Sequence, residues 1–132
     1  MRLSGDDIGK LILRLTLGVL LLLHGIAKIM SPAALGGIGG MLAAKGLPEY
    51  VAYGVFIGEV LAPLLMIPGV YTRLAGVITV LNMVFAIYLA HSQQLLMLTK
   101  NGGWQLELQG FYLFCGLALA FLGSGKVAVR PD

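Results

Sequence analysis

Four apolar runs dominate this chain and leave it very few ways to fold. They are Leu11–Met30, Tyr50–Pro68, Leu74–Ala90 and Trp104–Leu122, each broken only by isolated polar side chains. A bilayer core of about 30 Å is crossed by roughly 17–25 helical residues. Backbone groups in hydrocarbon must bond within their own segment, so runs of this length become helices. Outer-membrane strands alternate apolar and polar residues over about 10 positions, and these runs do not. Composition agrees. Hydrophobic residues make up 58% and charged residues 11%, against about 25% charged in soluble domains. So few charges cannot wet the surface of so apolar a chain. The expected fold is all-α: a four-transmembrane-helix bundle in one membrane domain over 1–132, with helices at about 8–30, 50–69, 73–91 and 104–123. The first run is longer than the usual 7–15-residue apolar region of a signal peptide and is not followed by a small-x-small cleavage site with a polar mature domain, so it reads as a helix.

The links carry turn signals. Ser31-Pro32 ends the first helix, and Gly36-Gly37 and Gly39-Gly40 follow. Gly46-Leu47-Pro48 precedes the second, and Pro68-Gly69 opens a tight turn closed by Thr72-Arg73. A link as short as this last one makes the second and third helices an antiparallel hairpin, and neighbours are expected to run antiparallel throughout. Both termini then lie on one side, with Arg2, Lys10, Arg73, Lys126 and Arg130 and with Arg14 just inside. The other side has Lys45 and Lys100, with Lys28 at its boundary. The positive-inside rule puts the first side, and both termini, in the cytoplasm.

Polar residues at membrane depth are expensive and need a partner or a cavity. Counting ~1.5 Å of rise per residue places His24, Lys28 and Glu107 in one layer toward the outer face, with His91 ending the third helix. The same count puts Glu59 and Asn82 in a deeper layer near the middle, within reach of a long Arg14 side chain from below. At 100° per residue, Arg14, Gly18, Leu21, Gly25 and Lys28 share one stripe. Gly54, Gly58 and Ala62 make another small-residue stripe, beside Glu59, and such stripes admit a close neighbouring helix. The candidate ligand-binding or proton-handling residues are therefore His24, Lys28, Glu59, Asn82, His91 and Glu107. Arg14 and Arg73 are read as structural or orientation charges. For each of these a purely structural reading stands beside the functional one: snorkelling for Lys28 and Arg14, helix pairing for Glu59.

Other chemistry has no sequence support. The single Cys115 forms no internal disulfide and no CxxC pair, which argues against a thiol–disulfide oxidoreductase. The scattered basic residues make no nucleic-acid patch. No metal-ligand pattern, phosphate loop or nucleophile elbow is present, and no residue is assigned as catalytic.

Taken in order, several segments resemble one family. Arg14 followed by His24-Gly25-Ile26-Ala27-Lys28, the Gly46-Leu47-Pro48 turn, Glu59 and the Gly69-Val70-Tyr71-Thr72-Arg73 segment come first. His91, Gly102-Gly103-Trp104-Gln105-Leu106-Glu107 and the closing Gly123-Ser124-Gly125-Lys126 follow. Together they are similar to the DoxX family. Gln105, Ser124 and Lys126 depart from its usual acid, proline and arginine. The resemblance implies a four-helix protein of the bacterial inner membrane, linked in some members to membrane oxidoreductases, quinones and oxidative stress.

Three functions follow as expectations. The first is an accessory, non-catalytic subunit with a polar site for a quinone, no covalent cofactor, and a redox-enzyme partner that supplies electrons. The second is a proton-coupled transporter of a small amphipathic molecule, working as a homodimer through its glycine stripes. The third is a structural or assembly subunit. Lipid is a partner in all three.

Overall fold

The computed structural model describes residues 2–132 as five helices, with no strand among them. They are α1 (Gly5–Ile29), α2 (Pro32–Ala44), α3 (Glu49–Met66), α4 (Thr72–Gln94) and α5 (Glu107–Leu122). Helices α1, α3 and α4 are long and apolar enough to cross a membrane; α2 and α5 are apolar but shorter.

The helix that was not expected is α2. The glycine pairs between Ser31 and Gly46 read as turn formers, yet they lie inside a helix. Its ends are specified locally. The Ser31 hydroxyl accepts from the Ala34 N–H, and Pro32 occupies the first turn, where a missing N–H costs nothing. At the other end Gly46 takes φ +77°. Leu47 N–H bonds Leu42 O and Gly46 N–H bonds Ala43 O, the paired closure that a left-handed glycine permits. What overrides the roughly 1 kcal/mol penalty of each helical glycine is burial. Leu35, Ile38 and Leu42 repeat at helical spacing and pack with Val51, Ala52 and Leu89 into a small apolar cluster of their own.

Helix α1 begins at Gly5 because Ser4 and Asp7 cap each other reciprocally. It buries Arg14, Leu17, Gly18, Leu21 and Gly25 on one face. Gly18 packs against Met66 and Ile67 of the α3 end, and Gly25 against Glu59 and Val60. Gly76 and Gly116 bring α4 and α5 together in the same way. The stripe that promised a dimer surface is thus largely used within the chain: Gly18, Gly25 and Gly58 meet neighbouring helices, and only Gly54 opens onto space. Leu17, Leu21, Ala62, Met66, Ala75, Met83, Tyr112 and Leu119 form the main core. Large apolar side chains also point outward, Leu81, Phe111, Phe114 and Phe121 among them, as lipid-facing helices require.

Two helices change pitch where they carry polar residues. In α3 the Ile57–Leu61 stretch is π-helical, and Ala62 N–H reaches back five residues to Ile57 O. The cause is Pro63: it has no N–H for Glu59 O, four residues back, and its ring crowds that carbonyl. In α4 a second π turn spans Ile87–His91. Single π turns inside α-helices recur at functional sites.

At the end of the molecule remote from these turns, the chain after α5 folds back. Arg14, 2% exposed, donates to Ser124 O and Val127 O, both at 2.7 Å. Val129 and Arg130 N–H bond Pro68 O and Gly69 O. Arg73 donates to the last carbonyls of α5, Ala120 O and Phe121 O, and Asp132 accepts from the Arg73 N–H. Arg14 therefore meets the tail and not Glu59, and it sits 11 residues, ~16 Å of helix, from the level of Gly25. Arg14→Gln should free the tail, because charge-assisted bonds contribute about 1.5–3 kcal/mol each. In a Cys115→Ala background, Ala128→Cys should then react faster with a water-soluble maleimide. Unchanged labelling would show that the tail is held by its backbone bonds alone.

Candidate functional site

The two π turns face one cavity of about 930 Å³, walled by all five helices. Its lining is mostly apolar, including Leu21, Ile38, Val51 and Met83, with His24, Lys28, Glu59, Asn82, His91, Gln109 and Tyr112 among its polar groups.

The polar groups form two clusters. In the first, Glu59 is centred between α1 and α4. The Lys28 ammonium forms an ion pair with Glu59 Oε1. Asn82 Nδ2 donates to Glu59 Oε2 at 3.3 Å. The Glu59 side chain is 7% exposed and that of Lys28 23%. A buried carboxylate with both oxygens engaged is a satisfied group, and the pair holds α1, α3 and α4 in register. Two glycines make this possible. A Cβ on Gly25 would overlap the Glu59 carbonyl, and one on Gly58 would overlap Asn82. The Glu59 carbonyl, deprived of a helical donor by Pro63, thus lies against the Gly25 backbone, a close approach that neighbouring helices supply in membrane interiors.

Beside it, the His24 ring meets Tyr112 edge-on, with centroids 5.8 Å apart. Among the described residues neither the His24 ring nor the Tyr112 hydroxyl has a protein hydrogen-bond partner, although Tyr112 is 6% exposed. Both border the cavity. In the second cluster His91 Nδ1 lies 2.8 Å from Gln94 Oε1, and Gln109 Nε2 lies 3.4 Å from His91 Nε2. Gln94 Oε1 can only accept and Gln109 Nε2 can only donate, so the two amides bracket the His91 ring from opposite sides.

Of the residues singled out in the sequence, His24, Lys28, Glu59, Asn82 and His91 border the cavity. Glu107 does not. It is exposed at the start of α5, against Gly103. Helix α5 starts at Glu107, not at Trp104, which is held in a hairpin-like loop by a bridge to Leu98 and an indole bond to Leu95 O. Two residues further on, 200° around the helix, Gln109 takes the place at the cavity that Glu107 was expected to fill. The two expected layers also merge. Glu59 packs at the level of Gly25, only four residues from the end of α1, and so within reach of Lys28. Counting rise from assumed span ends misplaced it, because the count sets the ends of α1 and α3 at one level, and the sequence does not say where the two helices meet. Tyr112 was missed; a lone phenol in the middle of an apolar span was the signal that pointed to it.

Known proteins give the arrangement a context. The chain is 27% identical over 125 residues to "Putative oxidoreductase CatD" of Bacillus subtilis (strain 168), covering 95% of this chain and 87% of that protein. It is 31% identical over 121 residues to an uncharacterized protein of Haemophilus influenzae, covering 89% of this chain and 84% of the relative. No solved structure matches. The DoxX family profile matches residues 9–92, well over half of the chain and including α1 to α4 up to Ser92. With its apolar helices and the match of that profile, the chain is a membrane-embedded protein and belongs to the DoxX family.

Proposed function

We propose that this protein is an accessory subunit of a membrane oxidoreductase, and that its cavity holds a quinone. The observation that carries this is one apolar cavity of about 930 Å³ whose polar wall keeps two groups free for a ligand, the His24 ring and the Tyr112 hydroxyl. When bound, a quinone supplies two carbonyl oxygens that accept hydrogen bonds, and it takes up electrons and protons. The residues fit that chemistry. His24 and Tyr112 offer donors to one carbonyl, and the apolar wall excludes water from it. Lys28 and Glu59, already paired, fix the helices around the head group and keep a mobile proton at the cavity wall. The oxidoreductase name of the Bacillus relative points the same way. The partner protein supplies the electrons.

The same reading sets the protein in a bacterial inner membrane as one domain, with α1, α3, α4 and α5 as an antiparallel four-span bundle and α2 capping its outer end. The contacts of Gly18 with Met66 and of Gly25 with Glu59 support the α1–α3 pairing. The tail contacts gather Lys10, Arg73, Lys126 and Arg130 at one end, which supports cytoplasmic termini.

The test is a titration of the detergent-solubilised protein with a water-soluble benzoquinone, followed by Trp104 fluorescence. We expect saturable quenching, weakened about tenfold in His24→Ala by loss of one hydrogen bond, about 1.4 kcal/mol. It should be unchanged in Arg130→Ala, at the far end. A signal that never saturates, or equal binding in His24→Ala, would sink the site. A second reading, proton-coupled transport by a homodimer, rests on the Lys28–Glu59 pair bordering the cavity. It predicts that Glu59→Gln binds ligand normally but loses flux in vesicles.

A further inference from the structure

The quinone reading leaves most of the cavity without an occupant. A ring the size of benzene fills a cavity of about 150 Å³, so a single-ring head group accounts for a small part of about 930 Å³. The remaining space has a direction. Leu81, Phe85 and Tyr88 lie on one face of α4 at spacings of four and three residues. Ile57 faces them from α3. All four line the cavity and are nevertheless 38–64% exposed, so the cavity opens sideways along the α3–α4 seam. Ile57, Leu81 and Phe85 lie within the apolar spans, so the opening there faces hydrocarbon, while at the Tyr88 end the Lys45 ammonium sits 4.8 Å over the ring and closes the groove with charge. Gly54 also lines this side, and a Cβ built there meets nothing within 4 Å. One turn further along α3, Gly58 touches Asn82 and adjoins Glu59. The groove thus runs without a break from the polar cluster to the lipid.

We infer that this α3–α4 groove is a second subsite, which takes the hydrocarbon chain of a membrane-dissolved ligand whose head group lies at the His24–Tyr112 end. It rests on the reading that the polar end binds such a head group. The ligand class is then narrower: an amphipathic molecule with a long apolar chain, reaching its site from within the bilayer. The chain gains little hydrophobic energy by leaving lipid, which is equally apolar. What the groove supplies is orientation, holding the head toward the donors.

The test uses the full-length protein in lipid vesicles and a benzoquinone whose decyl chain carries a photoactivatable diazirine. We expect adducts at Ile57, Leu81, Phe85 or Tyr88 by mass spectrometry, removed by excess unlabelled decyl-benzoquinone. Gly54→Leu, which fills the groove, should reduce them about tenfold, with Leu81→Phe as a second blocking variant. Trp104 titration with the tailless benzoquinone should be unchanged in both, which also checks that they are folded. Uncompeted adducts spread over outward residues such as Phe111 and Phe121 would overturn the inference. Normal tailless binding with no groove adducts would sink the chain subsite alone. Competed groove adducts without any tailless binding would instead sink the quinone head-group assignment and keep the chain subsite.

Discussion

Lys28→Met should destabilise the protein by about 3 kcal/mol, the low end of the cost of removing one partner from a buried ion pair. Glu59→Gln should cost only about 1 kcal/mol, in the range of one hydrogen bond. The two partners are unequal because their escape routes are unequal. Lys28 lies in the last turn of α1 with a side chain 23% exposed. Without Glu59 its long stem can carry the ammonium to the interface. Glu59 is short, 7% exposed and walled by Gly25, Gly58 and Asn82. Without Lys28 it keeps only the Asn82 amide. Glutamine at 59 also preserves shape and can still accept from Lys28. Reversible denaturation in mixed detergent micelles, run on both single variants and the double variant, checks this. The double variant should recover much of the Lys28→Met loss, because no charge is then stranded. Equal losses in both singles, or simple additivity in the double, would mean that the pair is solvated and holds nothing together.

Gly25→Leu is expected to be as damaging, for a steric reason. Even the first side-chain carbon would overlap the Glu59 carbonyl and come within 2.8 Å of Val60 Cγ2. Neither the backbone carbonyl nor the branched Val60 can swing away as the end of a long side chain would. Helices α1 and α3 must separate, at about 1–3 kcal/mol or more for overpacking, and the Lys28–Glu59 contact goes with them. Folded protein recovered from the membrane should fall steeply, and whatever folds should no longer quench with benzoquinone. Gly36→Ala is the matched control. It lies in α2 with nothing within 4 Å of a new Cβ, so it should stabilise by about 0.5–1 kcal/mol through helix propensity. If Gly25→Leu behaves like Gly36→Ala, helices α1 and α3 do not pack backbone to backbone at this level.

The two glycines also mark how far sequence reading reaches. Gly25 and Gly36 look alike as letters. The first lies on a stripe with Arg14, Gly18, Leu21 and Lys28, and that spacing by itself marks a buried face. The second sits in a glycine-rich link whose local preference is for turns, and α2 forms there because Leu35, Ile38 and Leu42 find Val51 and Ala52 in the next helix and Leu89 far along the chain. Glu107 and Gln109 differ in the same way. Both are polar and near one end of an apolar run, and only the rotation of α5 against its neighbours decides which one borders the cavity.

What the sequence determined by itself was the solvent and the element type. Runs of apolar residues as long as a bilayer is thick permit helices and little else, and isolated polar residues deep within them must find a partner or a cavity. Their order along the chain also carried the family. What only the tertiary structure decided was azimuth, level and partnership: Lys28 with Glu59, Arg14 with the tail, His24 beside Tyr112. Rise along a helix can be counted from sequence. Rotation about it, and the level at which one helix meets the next, are set by packing between helices.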